Sequence, residues 1–301
     1  MSPGRELVRL LLPIACPCGA LDVRWCARCA ALLGGPPVRA EHGAPRLDRL
    51  DGVAPVPVWA LTAYAGPVRD VVVHWKDRGR ADLDRLLAPA LRRAAARLGP
   101  VLARALAGMP DAQAGAPSTP GGAPDAAAGT PASHTRPPAA PRAGTSPAPA
   151  GIAVVPVPST GAARRARGRE PVAVLARAVA RGLRDGGVPA RVVPALARRG
   201  RGRDQVGLGA RARGRNLARG VRMTRRGERA LGQGSACLLV DDVLTTGATL
   251  AAVERTLERH GHDVLGATVL AATPAPGDRH RGHPASPPGP PGAAGTRRSR
   301  T

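Results

Sequence analysis

Two adjacent carboxylates, Asp241 and Asp242, close an apolar run, Ala236-Cys237-Leu238-Leu239-Val240. Val243-Leu244 and then Thr245-Thr246-Gly247-Ala248-Thr249 follow them. Ionised carboxylates only accept hydrogen bonds, which suits the paired hydroxyls of a ribose and not a phosphate. The threonine-rich turn has the opposite character. Where such a turn leads into a helix, backbone N–H groups and the positive end of the helix dipole converge on one anion. Threonine hydroxyls add donors, and Gly247 lets the backbone come close. A sugar-binding pair and a phosphate-binding turn therefore stand side by side. The plainer alternative is a strand ending in solvated acids, with Thr246 or Thr249 acting only as a helix cap. Five apolar residues, two acids, two apolar residues and Thr-Thr-Gly-x-Thr form a pattern more specific than that.

A second cluster is made of cysteines. Cys26-Ala27-Arg28-Cys29 has the two-residue spacing of a zinc knuckle, and Cys16-Pro17-Cys18-Gly19 supplies another pair. That first pair is one residue short, and Pro17 removes an N–H that would otherwise face a thiolate, so His42 stands as a substitute ligand. Reduced, metal-free cysteines are the alternative. A metal held by four protein ligands is closed to substrate, so the cluster is read as structural Zn2+. Cys237 lies in an apolar run and reads as a buried thiol. With no export signal, five cysteines argue against a disulfide framework.

The formal net charge of +24 attracts any polyanion without discriminating among DNA, RNA and a polyphosphate. Lys76 is the only lysine among 45 basic residues, and phenylalanine is absent, a bias that reflects base composition as well as surface chemistry. In such a chain one lysine hints at a need for a compact ammonium. No stretch approaches the roughly 20 apolar residues of a membrane span. A cytoplasmic protein is expected.

These groups need elements to position them. Strand character over Val53 to Ala63, a β-branched run over Arg69 to Trp75 and a helix over Leu83 to Leu106 precede a stretch of Pro, Ala, Gly, Ser and Thr. Residues 109–150 are read as a disordered insert and 274–301 as a tail of the same kind. Ile152 to Val157 reads as an apolar strand, Ser159-Thr160-Gly161 as a turn. A helix opens at Glu170-Pro171 with Val172, Leu175, Val179 and Leu183 on one face. Val188 to Val193 and Val264 to Ala272 add strands, and Thr249 to His260 a helix that stops at Gly261. Ala236 to Val240 reads as a central parallel strand buried on both faces. Repeated β-α-β order predicts an α/β fold, an open parallel sheet with helices on both sides.

The segment from Asp241 to Thr249 resembles the ribose-5-phosphate loop of type I phosphoribosyltransferases. Three further pieces are similar to the ComF (GntX-like) branch. They are Val155-Pro156-Val157-Pro158-Ser159 with Arg164, Arg165, Arg167 and Gly168; Asp204-Gln205-Val206-Gly207-Leu208 with Arg211 to Asn216-Leu217; and Tyr64-Ala65-Gly66-Pro67-Val68-Arg69 with Trp75-Lys76-Asp77-Arg78-Gly79. Many members have Arg-Gly-Phe-Asn-Gln where this chain has Arg167-Gly168-Arg169-Glu170-Pro171. The resemblance implies the open sheet of the type I phosphoribosyltransferases, split into residues 52–108 and 151–273, behind a small cysteine-rich, zinc-ribbon-like segment over residues 1–48.

It also implies roles. Asp241 and Asp242 hold the ribose hydroxyls of 5-phosphoribosyl pyrophosphate, and Thr245, Thr246, Gly247, Ala248 and Thr249 cradle its 5-phosphate. Pro158, Ser159, Arg164, Arg165 and Arg167 lie by the pyrophosphate, Mg2+ accompanies the ligand, and Lys76 is a further candidate. Cys16, Cys18, Cys26 and Cys29 would be the zinc ligands. No residue stands out as a general base; His74, beside Trp75, more often plays a structural part. Two functions follow as expectations. One is phosphoribosyl transfer to an acceptor the sequence does not name. The other is a non-catalytic accessory role with the DNA-uptake machinery, binding single-stranded DNA. The twelve arginines between Arg198 and Arg229 favour polyanion contact. Three Trp and one Tyr leave little for base stacking.

Overall fold

A computed structural model describes residues 14–49, 51–109, 151–198, 220–232 and 234–275. The expectations for the 109–150 insert, the tail and the Asp204-to-Leu217 segment lie outside these residues, but for Met109 and the two first residues of the tail. In chain order the elements are α1 (Ala27–Ala31), β1 (Val38–Arg39), β2 (Val58–Ala63), α2 (Gly66–Lys76), α3 (Asp84–Ala107), β3 (Ile152–Pro156), α4 (Gly161–Arg167), α5 (Pro171–Asp185), β4 (Ala190–Val192), β5 (Leu196–Arg198), β6 (Val221–Met223), α6 (Arg225–Leu231), β7 (Ala236–Leu244), α7 (Ala248–Glu258) and β8 (Asp263–Ala272).

Six strands form one sheet in the order β1-β2-β8-β7-β3-β4. Every pair is parallel except β1 on β2. The protein is α/β, as its strand-helix alternation predicts, and β7 and β8 lie at the centre. Because side chains alternate along a strand, β7 sends Leu238 and Val240 to one core and Cys237 and Leu239 to the other. The first core is completed by α3 and α5, and the second by α7, Ala44 and Leu47. Burying one such aliphatic side chain contributes about 1.5–3 kcal/mol.

Pro171 opens α5, and Val172, Leu175, Val179 and Leu183 are buried. Gly182 permits close contact with α3, since a Cβ there would run into the Arg92 carbonyl oxygen. After α7, Gly261 turns at φ +72.

The β-branched run over Arg69 to Trp75 is helical, within α2. Pro67 occupies its first turn, and Val68, Val71, Val72 and Trp75 are buried at helical spacing. Valine's weak preference for strands yields to that apolar face. Val53, half exposed, lies outside β2. The expected turn at Ser159-Thr160-Gly161 is the start of α4, where the Thr160 hydroxyl accepts from the Ala163 N–H at 3.2 Å. The antiparallel pair β5–β6 and the helix α6 were not anticipated. No helix among the described residues is long and apolar enough to cross a membrane.

Candidate functional site

The strand β7 does not stop at its acids. It remains paired with β8 through Asp241↔Val269, Val243↔Ala271 and Leu244↔Ala272, so both carboxylates project from ordered strand. Their own backbone orients them. The Asp242 N–H donates to Asp241 Oδ1 and the Val243 N–H to Asp242 Oδ1, each at 2.8 Å. Asp242 is buried, and Lys76 Nζ, at the end of α2, approaches its Oδ2 to 2.5 Å. That oxygen has no hydrogen bond of regular geometry among the described residues, so the contact is ionic.

Electrostatics acts on Asp241 and Lys76. Burial first, and then the neighbouring Asp242 charge, push the Asp241 carboxyl up to about 8, against the opposing pull of Lys76. Burial works to lower Lys76, but the Asp242 carboxylate outweighs it and holds the ammonium above its usual value.

Beyond β7 the turn meets α7 at Gly247, which has φ +78. Only glycine adopts this region freely. A Cβ there would also lie 2.6 Å from Leu47 Cγ. The Arg46 N–H donates to the Thr246 carbonyl at 2.9 Å, so residues 44–47 form the bed on which the loop rests. No side chain caps α7 at Gly247. The Thr246 hydroxyl accepts from the Ala248 N–H at 3.5 Å, and the N–H groups that follow are arranged as at helix ends that receive anions.

These groups share one cleft of about 380 Å³. Asp241, Asp242, Thr245 and Thr249 line it, as do Pro158, Ser159, Arg167 and Lys76. Thr246, Gly247 and Ala248 shape the loop without lining the cleft. Arg164 and Arg165 point elsewhere: both are exposed, and Arg164 pairs with Glu170 at 3.2 Å. The reason is α4, whose helical spacing brings one arginine of the three to the cleft. Sequence reasoning did not single out Asp77, Thr160 and Arg198, which also face it. Asp77 had a signal, its place beside the lone lysine; Arg198 had none, being one of many arginines. His74 lies off the cleft, with Nε2 3.0 Å from Arg78 Nη1. Arg169, at the position where the motif departs, stands over Trp75 at 5.6 Å and pairs with Asp84 at 2.5 Å.

The four cysteines form a separate cluster, with Sγ atoms all within 4.8 Å of one another. Cys16–Cys18, Cys18–Cys26 and Cys16–Cys29 are 3.4, 3.6 and 3.6 Å apart. A tetrahedron with Zn–S bonds of about 2.3 Å has edges of about 3.8 Å, so the donor set fits such an ion with little adjustment. The short first pair is no obstacle, because the Cys26 N–H faces Cys16 Sγ at 3.4 Å and supplies what Pro17 cannot. His42 is not a substitute ligand: it is exposed and lies beside Glu41. Arg80 ties this segment to the end of α2 by donating to the Ala15 and Arg24 carbonyls at 3.0 and 3.2 Å.

A stretch of 51 residues is 49% identical to the adenine phosphoribosyltransferase of Clavibacter michiganensis subsp. michiganensis, covering 17% of this chain. It spans 29% of that relative's length. Residues 173–286, which hold β7, the threonine loop and α7, match the family model described as the phosphoribosyl transferase domain.

Proposed function

We propose that the chain binds 5-phosphoribosyl pyrophosphate or a related ribose phosphate, with transfer of the phosphoribosyl group to an acceptor as the reaction. The observation that carries this reading is the meeting, in one cleft, of a strand-held carboxylate pair with Thr245 and with Thr249 in the first turn of α7. Asp241 and Asp242 would accept from the ribose hydroxyls, and Thr245 to Thr249 would hold the 5-phosphate. Pro158, Ser159 and Arg167 would lie by the pyrophosphate, where a guanidinium offers forked hydrogen bonds.

The donor set also suits Mg2+, which takes one or two carboxylates together with ligand phosphates. Asp241 and Asp242 would hold it, and it would neutralise charge on the leaving pyrophosphate. Displacement at the ribose C1 carbon passes through an oxocarbenium-like state. The chain's own part is to orient the sugar and set negative charge beside it, the terms that dominate such reactions. Four cysteine thiolates would bind structural Zn2+.

A second reading keeps the ComF-type accessory role in DNA uptake, with single-stranded DNA as ligand. It is favoured by the net charge of +24 and the arginines from Arg198 to Arg229, residues 199–219 of which lie outside the described residues. The few aromatic side chains count against stacking.

Calorimetric titration with phosphoribosyl pyrophosphate and Mg2+ tests the first reading. Binding is expected for the wild type and its loss for Asp241→Asn/Asp242→Asn. If intact, zinc-loaded protein does not bind, the transferase reading fails and DNA binding leads, with a steep salt dependence.

A further inference from the structure

Two of the cations that face the cleft are already held by carboxylates of the chain. Lys76 meets Asp242, and Arg167 Nη2 meets Asp77 Oδ1 at 2.9 Å. Lys76 is the last residue of α2 and Asp77 its C-cap, so consecutive residues reach two different walls, β7 and α4. Nothing local explains an acid at position 77. A carboxylate at the C-terminal end of a helix faces the negative end of the dipole, where a cation is favoured. The Asp77 side chain leaves that end and crosses to Arg167. The pair is accessible, with side-chain exposures of 52% for Asp77 and 22% for Arg167. Lys76 also feels the Arg167 charge, so the two cations are close enough to repel one another. Asp77 offsets that repulsion.

We propose that Asp77 stands in for the ligand's diphosphate, occupying Arg167 until a diphosphate oxygen displaces it. The proposal rests on the ribose-phosphate reading of the cleft. A ligand that ends at the 5-phosphate engages Thr245 to Thr249 and leaves the Arg167–Asp77 pair intact. A ligand carrying diphosphate exchanges that pair for its own contact, and guanidinium favours the forked, more highly charged partner. Asp77 thus competes only against the part of the ligand that must leave after transfer. It weakens the hold on pyrophosphate and hastens its departure.

The test is calorimetry on the full-length chain in Mg2+ buffer, with inorganic pyrophosphate and ribose 5-phosphate as separate probes. Wild type, Asp77→Asn, Arg167→Gln and the double variant are compared after thermal melts show each to be folded. Asp77→Asn is expected to bind pyrophosphate about twofold to fivefold more tightly, the range in which accessible ion pairs act. The gain for ribose 5-phosphate is expected to be clearly smaller, and the pyrophosphate gain to vanish in the Arg167→Gln background. A wild type that binds pyrophosphate no more weakly than Asp77→Asn overturns the role of Asp77 and leaves the cleft reading standing. So does a gain that survives without Arg167. Failure of every folded variant to bind either probe overturns both.

Discussion

Asp242 has the Lys76 ammonium at 2.5 Å, while burial and the Asp242 charge push its neighbour Asp241 up to about 8. A carboxyl raised in the folded state from an unfolded value near 3.8 makes a contribution to stability that is complete below that value. This contribution is lost as pH rises through about 8. Asp241→Asn removes the titration. Its melting temperature relative to wild type is therefore expected to rise from about pH 4 to about pH 8 and to level off above. Parallel melts of both proteins over that range check this, and a difference that does not change with pH would sink it. The partnership behind the effect could not be read along the chain. The sequence marks Lys76 as singular, but its partner lies on a strand laid down far later, and only the packing of α2 on the sheet unites them. Arg164, Arg165 and Arg167 looked equivalent for a related reason: without α4, nothing ranks three arginines in a row of four residues.

Strand β7, its turn and helix α7 were the most legible elements, because a buried parallel strand, a glycine and a periodic apolar face are each written locally. The bed beneath the turn was not, since Ala44 and Leu47 sit in a segment without periodicity. Gly247→Ala tests the turn and its bed together. The left-handed backbone alone makes a non-glycine residue unfavourable by about 1–3 kcal/mol, and the contact with Leu47 adds to it. Urea unfolding is expected to show a loss at or above that range, with weaker phosphate binding. An unchanged midpoint would mean that the loop shifts freely off Leu47. The helix α2 shows the opposite limit of local reading. Val71-Val72-Val73 speaks for a strand, and the spacing of Val68, Val71, Val72 and Trp75, which packs them into the interior, overrides it.

At the scale of the molecule, the cysteine segment is not an appendage. Cys16 and Cys29 are buried in the same core as α3, α5 and the inner face of the sheet. An ion bound there acts on the whole fold, because a ligand of the native state stabilises it by mass action. Removing zinc with a chelator is expected to lower the melting temperature on the order of 5–10 °C. A loss of about 2–3 kcal/mol gives a shift of that size in a chain of this length. An unchanged melt, with the absence of zinc from the untreated protein, would leave the cysteines as reduced core thiols. The bed under the threonine loop has a consequence of its own. Residues 173–286 match the family model, but Thr246 and Gly247 lie on Arg46 and Leu47, and Asp242 on Lys76. The stretch that the family match outlines and the stretch that shapes the loop are therefore different objects. An excised 173–286 fragment would keep every letter of the motif and lose the surface against which that motif is held in shape.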